Sequence, residues 1–116
     1  MIANLEKMFK QADAIDMEEG LLAYQRYHMV MAEMSMAYSI ELEKVIAVFV
    51  SLSPNNDYVG NLRSTVSVLA GISAGVPEEQ VTISTYKHCR KRAFQYARGE
   101  RNFLKETKGQ KIINFF

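Results

Sequence analysis

The residues best suited to bind an anion lie in the last third of the chain. Nine Lys and Arg but only two acidic residues fall between Tyr86 and Lys111. Residues 86–99 contain no acidic residue at all, although an ordinary solvated helix face carries both signs. The pattern predicts a helix that binds the phosphate backbone of nucleic acid, with a simple solvated face as the alternative. The cations expected to contact phosphate are Lys87, Arg90 and Lys91.

A second candidate site is the turn Lys108-Gly109-Gln110-Lys111. Gly109 can adopt the positive φ of a tight turn. The helix predicted to begin at Gln110 would direct unpaired backbone N–H groups at an anion. Lys111 in its first turn opposes the helix dipole, a small cost that a functional role would explain. These residues are also predicted to bind DNA phosphate.

Two adjacent amides, Asn55 and Asn56, follow Ser53 and Pro54. They can cap the next helix, because an Asn side chain accepts hydrogen bonds from the first backbone N–H groups. Each amide also carries a donor and an acceptor, which can reach base edges or the gap left by an extruded base. The sequence leaves both interpretations open.

The chain offers little for metal or covalent chemistry of the common kinds. His28 and His88 are its two histidines, and neither has the Cys or His spacing of a zinc site or a partner set for a triad. Neither a Walker loop nor a dinucleotide fingerprint occurs. We therefore predict no metal and no cofactor. The single cysteine, Cys89, excludes an internal disulfide and is typical of a reducing compartment, so a cytoplasmic location is expected.

The sequence predicts helices along nearly the whole chain, and these helices must position the residues named above. Apolar spacing predicts a helix over Leu5–Ile15, ended or bent by Gly20. Residues 21–51 predict one long helix, or two abutting helices with a restart at Ser39. Beyond Pro54, glycines at 71 and 99 are the predicted helix stops, and Pro77 marks a short turn. The further predicted helices are Asp57–Ala70, Thr85–Arg98, Glu100–Glu106 and Gln110–Phe116.

This pattern predicts an all-α fold, a compact bundle of about five to six helices with a helix-hairpin-helix-like C-terminus. Residues 1–116 are expected to form a single helical domain, or the N-terminal part of a larger or split one. Within the basic helix, Cys89, Ala93, Tyr96 and Ala97 form the predicted inward face. The longest aliphatic run, Val45–Val50, is far shorter than the ~20 residues of a membrane span, so no membrane partner is expected.

Charge and apolar patterning both point to a partner. Residues 1–57 carry four Lys/Arg and nine Asp/Glu, whereas residues 58–116 carry ten and four. This asymmetry predicts a nucleic-acid face in the second part, or attraction between the two parts within the fold. The methionines of Met29–Met36 predict a buried helix or one that meets a partner. The apolar run Ile112–Phe116 predicts a protein partner or self-association.

The segments Leu52-Ser53-Pro54-Asn55-Asn56 and Gly109-Gln110-Lys111, in this order, resemble the helix-hairpin-helix DNA glycosylase superfamily, which includes endonuclease III and 8-oxoguanine DNA glycosylase. The resemblance covers roughly residues 40–116. It implies that Asn55 and Asn56 enter the duplex near a flipped base and that Lys111 is the nucleophile. The family's hairpin Leu, Pro and first Gly fall on Lys105, Glu106 and Thr107, and its aspartate would follow the end of this sequence.

The resemblance therefore implies a DNA-binding protein related to a truncated, split or inactive glycosylase, with base excision only if a partner supplies the aspartate. The chain is also similar to small uncharacterised phage proteins with a Ser-Pro-Asn start and a Gly-x-Lys-x-x-x-Phe end, which implies the host cytoplasm. The alternative function is a phage-type helical protein that binds another protein, such as a host-defence component. A homo-oligomer that buries Phe115 and Phe116 is the third possibility.

Overall fold

The computed structural model describes residues 20–52 and 57–107, with the backbone alone for residues 20–24 and 107. All of its regular elements in these ranges are helical, which confirms the all-α prediction. A 3-10 turn, Glu78–Gln80, lies between the third and fourth helices and confirms the short turn predicted after Pro77. The helices are α1 (Gly20–Tyr38), α2 (Leu42–Leu52), α3 (Tyr58–Ala74), α4 (Lys87–Ala97) and α5 (Phe103–Thr107).

A break at Ser39 separates α1 from α2. Ser39 has a φ of 53°, the left-handed conformation that glycine usually adopts after a helix. The Ile40 N–H donates to the Ser35 carbonyl at 3.2 Å, and the Ser35 hydroxyl donates to the Ile40 carbonyl at 2.7 Å. These bonds close the end of α1 and turn the chain. Of the two predictions for residues 21–51, the one with two helices is confirmed.

α2 is the helix around which the others pack. Its residues 45–49 are all buried, and Val45 and Val48 are completely so. Five consecutive helical residues point in every direction around the axis, so their burial requires neighbours on several sides. α2 contacts α1, α3 and α5, and it packs most extensively against α4. Burying each large aliphatic side chain contributes about 1.5–3 kcal/mol.

α3 begins at a side-chain cap. The Asp57 carboxylate accepts a hydrogen bond from the Gly60 N–H at 2.9 Å, so Asp57 is the N-cap. The predicted capping role of Asn55 or Asn56 is therefore wrong. The carboxylate at position 57 is one helical turn before Gly60, which is the spacing that a cap needs. Asn55 and Asn56 themselves lie outside the described residues.

Gly71 does not end α3, contrary to the sequence prediction. The helix continues to Ala74 and ends at Gly75, whose φ is 70° and whose N–H donates to the Gly71 and Ile72 carbonyls. Gly71 is buried within the helix, and a Cβ there would lie 2.5 Å from a methyl carbon of Val81. Its missing side chain thus makes room for Val81, a buried residue of the segment that leads to α4.

Two polar turns position α4 and α5. Gly99, predicted as the stop after α4, has a φ of 77°, and the Glu100 N–H donates to the Gln95 carbonyl at 2.8 Å. The Asn102 side chain accepts from the Lys105 N–H at 2.9 Å at the start of α5. α4 begins two residues later and ends one residue earlier than the predicted Thr85–Arg98, and its first turn is closed by the Arg90 N–H, which donates to the Tyr86 carbonyl at 3.0 Å.

Several predictions fall on residues that the structure does not describe. These include the helices Leu5–Ile15 and Gln110–Phe116, and with them the helix-hairpin-helix-like C-terminus. Within residues 20–52 and 57–107, no helix is long and apolar enough to cross a membrane.

The contact between Gly71 and Val81 can be tested by adding one methyl group. Gly71→Ala improves helix propensity by about 1 kcal/mol but places its Cβ against the Val81 side chain, an overpacking that costs about 1–3 kcal/mol. We expect Gly71→Ala to lower the free energy of unfolding in urea. Adding Val81→Ala should recover much of that loss, so the double variant should be more stable than the two single effects predict by addition. Gly71→Ala as stable as the wild type would contradict this account.

Candidate nucleic-acid interface on α4

The inner face of α4 is committed to the core. Its buried residues include Cys89, Ala93, Tyr96 and Ala97, which confirms the predicted inward face. The sequence analysis did not place Phe94 there, yet that ring is completely buried. The outer face of the helix is therefore the part that remains for binding.

Two arginines, one helical turn before and one after Phe94, make contacts within the fold. The guanidinium carbons of Arg90 and Arg98 each lie 5.8 Å from the centre of the Phe94 ring. Arg90 donates to the backbone carbonyl of Glu78. Arg98 forms ion pairs with the carboxylates of Glu78, at 3.3 Å, and Glu100. The acids missing from the helix itself are thus supplied by the 3-10 turn and the loop after α4.

The first part of α4 presents cations with no such partners. Lys87, Lys91 and Arg92 are exposed. None of them forms an ion pair with any residue in the described part of the chain. Lys87 and Lys91 are four residues apart and thus neighbours on one face of the helix. The first turn of α4 has neither a side-chain cap nor an acidic residue, so its backbone N–H groups add to the positive potential.

An exposed aromatic pair lies at the start of this cationic face. Tyr86 is 67% exposed, and its ring stacks on that of His88 with the ring centres 6.0 Å apart and the planes 11° apart. His88 is exposed as well, and the sequence patterns did not identify the stacked pair. The sequence signal that could have revealed the pair is the spacing of the two aromatic residues, Tyr86 and His88, at positions i and i+2. The name "α4 outer face" below means Tyr86, Lys87, His88, Lys91 and Arg92.

The structure brings together only part of the predicted site. Of the predicted DNA-binding residues, Lys87 and Lys91 lie on the α4 outer face, and Arg90 is half-buried against Phe94 and the 3-10 turn. The predicted nucleophile and the remaining predicted DNA-binding residues lie outside the described ranges. They are Asn55, Asn56, Lys108, Gly109, Gln110 and Lys111.

A hydrogen-bonded cluster joins α4 to α5. The Tyr96 hydroxyl donates to one oxygen of Glu106 at 2.5 Å, and Arg101 donates to the other at 2.9 and 2.7 Å. The Arg101 guanidinium also lies 5.3 Å from the Tyr96 ring centre. These bonds, from Arg101 first and Tyr96 second, hold the pKa of Glu106 below its ordinary value. Burial and the hydrogen bond to Glu106 raise the pKa of Tyr96.

A polar cleft of 280 Å³ lies beside this cluster, between the start of α2 and the Gly99–Leu104 segment. Both of its cations have carboxylate partners: Lys44 pairs with Glu41 of the cleft at 3.3 Å, and Arg101 pairs with Glu106, outside the cleft, at 2.7 Å. A hydrogen bond with Glu41 raises the pKa of Glu43. Because Lys44 and Arg101 are already paired with carboxylates, the α4 outer face is the stronger candidate for binding an anion.

No group of three or more His, Cys, Asp or Glu side chains in the described ranges is arranged to hold a metal ion. Cys89 is buried in the core, where it packs as a small apolar side chain.

The pH dependence of stability should report the Glu106 cluster. Glu106→Gln is expected to lower the free energy of unfolding at neutral pH by about 0.5–1 kcal/mol, as for a partly exposed ion pair. The folded pKa of Glu106 lies below its unfolded value, near 4.5, so its contribution is complete above that pH and is lost as the pH falls through the folded pKa. The difference between wild type and Glu106→Gln, measured by urea denaturation, should shrink over that acidic range.

The matched control is Glu79→Gln, which removes the same charge from an exposed residue outside this cluster. An effect of Glu106→Gln no larger than that of the control would show that the cluster adds no stability.

Similarity to known proteins is found at the level of a sequence family. No curated protein and no solved structure matches the chain. The resemblance of Leu52–Asn56 and Gly109–Lys111 to the helix-hairpin-helix glycosylases is tested by none of these comparisons and stays a prediction. A family model matches residues 1–116, and its description states no activity. On that match the chain belongs to the family of unknown function DUF7178.

Proposed function

We propose that this protein binds DNA through the α4 outer face, with Lys87, Lys91 and Arg92 in contact with phosphate oxygens. One observation carries the proposal. These three cations are exposed and form no ion pair within the described residues, whereas Arg98 and Arg101 nearby are both paired with glutamates. The positive charges of Lys87 and Lys91 are therefore not neutralised within the described part of the fold. Arg92 forms no ion pair there, although its charge helps to lower the pKa of Glu106.

The geometry of a helix suits this role. Residues 87–92 span about 8 Å along the axis at 1.5 Å per residue, so their charges are concentrated on a short surface. Neutralising phosphate with Lys and Arg releases counterions, and this supplies most of the sequence-independent affinity for DNA. Arg90 was part of the sequence prediction, but its guanidinium is shared between the Glu78 carbonyl and Phe94. The proposal therefore rests on the three exposed cations.

Base excision is a narrower form of this proposal and rests on the resemblance alone. In it, the neutral amine of Lys111 would attack the sugar C1′ of a flipped nucleotide while the bond from C1′ to the base breaks and the base leaves with that electron pair. A carboxylate from a partner would stabilise the positive charge that develops on the sugar. Asn55 and Asn56 would lie near the extruded base, and Lys108, Gly109 and Gln110 would hold phosphate. DNA binding through α4 does not depend on this chemistry.

Salt dependence tests the DNA-binding proposal. We expect the affinity for a labelled duplex, measured by fluorescence anisotropy, to fall steeply between about 50 and 200 mM salt. The triple variant Lys87→Gln/Lys91→Gln/Arg92→Gln should lower the slope of log K against log salt by roughly two to three, since each phosphate contact contributes about 0.9. Absence of binding to both the duplex and a single strand of the same length at low salt would refute this proposal.

A single-charge comparison separates contact from net charge. Lys91→Gln should lower the slope by about one. Arg63→Gln removes one charge from the exposed surface of α3 and should change the slope much less. Equal effects of the two variants would mean that α4 has no special role.

The methionines of α1 favour a second function, protein binding. Met31 and Met34 are completely buried, whereas Met29 is 54% exposed and Met36 is 74% exposed. Met29 and Met36 are seven residues apart, so they lie on the same side of α1. Flexible, polarisable methionines are common on surfaces that repack around a protein partner. As the second candidate we propose self-association through this side of α1.

This second proposal predicts a concentration-dependent mass in sedimentation equilibrium. Met29→Gln/Met36→Gln should abolish the increase with little change in the urea midpoint, because both side chains are exposed. Val76→Gln is the control, since Val76 is an exposed apolar residue on the loop after α3. A wild-type protein that stays monomeric at every concentration would exclude self-association.

A further inference from the structure

We propose that the α4 outer face selects single-stranded over double-stranded nucleic acid, with the Tyr86 ring stacking on an unpaired base. This inference rests on the proposed function, because the same lysines and arginine would hold the phosphates. It adds a substrate class to that function.

The position of Tyr86 is the first reason. The side chain is 67% exposed, so its ring contributes little to the core. Cys89, three residues later, is the first core residue of α4. An aromatic ring held at a helix start and left in solvent provides a flat apolar surface at little conformational cost, because only two side-chain torsions must be fixed.

The stack on His88 is the second reason. The two rings are nearly parallel, with planes 11° apart and centres 6.0 Å apart, so the Tyr86 ring has a neighbour that limits its rotation. With two-thirds of the side chain accessible, a base can approach the ring on the side away from His88. Such a platform is tolerant of sequence, since every base has a π-face.

The neighbouring charges are the third reason. Lys87 directly follows the stacked tyrosine, and Lys91 lies one helical turn further on. Proteins that bind single strands combine cations along the backbone with aromatic rings that stack successive bases. In an intact duplex each base is already stacked between its neighbours, so an exposed tyrosine gains no such partner. The combination of ring and cations therefore favours the unpaired strand.

The experiment compares three labelled oligonucleotides of equal length with the full chain at one salt concentration: oligodeoxythymidine, oligouridine and a DNA duplex. We expect at least one single strand to bind about tenfold more tightly than the duplex. The two single strands separate a DNA source from an RNA source, and a preference for either over the duplex supports the proposal. Duplex binding as tight as that of both single strands would overturn it. If that duplex binding is weakened by Lys91→Gln, the proposed function still stands.

Variants of Tyr86 test the stacking itself. Tyr86→Leu keeps apolar bulk but removes the ring, and should weaken single-strand binding about tenfold while changing duplex binding less than about twofold. Tyr86→Phe keeps the ring and should bind as the wild type does. Because the side chain is exposed, both variants should fold normally, which thermal denaturation checks. Equal single-strand binding by Tyr86→Leu and the wild type would overturn the stacking assignment. If the wild-type protein binds none of the three oligonucleotides, both this proposal and the proposed function are overturned.

Discussion

The burial of α2 is the constraint on which the other described helices depend. Five successive buried residues, 45–49, leave this helix no polar side along that stretch, so neighbours must cover it from several directions. α4 supplies the largest share of that cover. Its inner face is consequently fixed by packing, with Phe94 fully enclosed. The charged residues of α4 are then confined to its outer face and its ends.

Most arginines of this region differ in role from its lysines, and the exposed Arg92 is the exception. Arg98 and Arg101 bind glutamates through planar guanidinium groups, and Arg90 binds a backbone carbonyl. A guanidinium can stack on a ring and donate several directed hydrogen bonds at once, which suits it to tie loops together. Lysine is a compact, strongly hydrated charge. Lys87 and Lys91 remain at the surface, where their hydration is kept and an anion can reach them.

Sequence patterns predicted what depends on local chemistry. The helical class, the break at Ser39 and the glycine stop at Gly99 all follow from apolar spacing and backbone preference, although the next helix starts at Leu42. Gly71 was misassigned because its role depends on Val81, ten residues later in the chain. Capping of α3 was one of the two roles considered for the amides, but the nearby Asp57 carboxylate is the N-cap.

The sequence predicted part of the candidate site, as it predicted part of the fold. Lys87 and Lys91 were identified from the absence of acids in their own segment. That absence could not reveal that Glu78 and Glu100, outside the helix, would pair with Arg98. Nor does periodicity show which ring is enclosed and which is exposed, so neither the burial of Phe94 nor the exposure of Tyr86 was predicted. Such assignments need the positions of neighbouring elements, which a single helix pattern does not contain.

The left-handed backbone conformation of Ser39 affects how two molecules of this protein could form a dimer. Without that residue's turn, Gly20 to Leu52 would form one rod of about 50 Å at 1.5 Å per residue. The inner side of α1, with Met31 and Met34, would then lose its own core and could fill the same place in a second molecule. Exchange of an identical element in this way is domain swapping, and short hinge segments are where it arises. The three residues between α1 and α2 therefore keep α1 within its own chain.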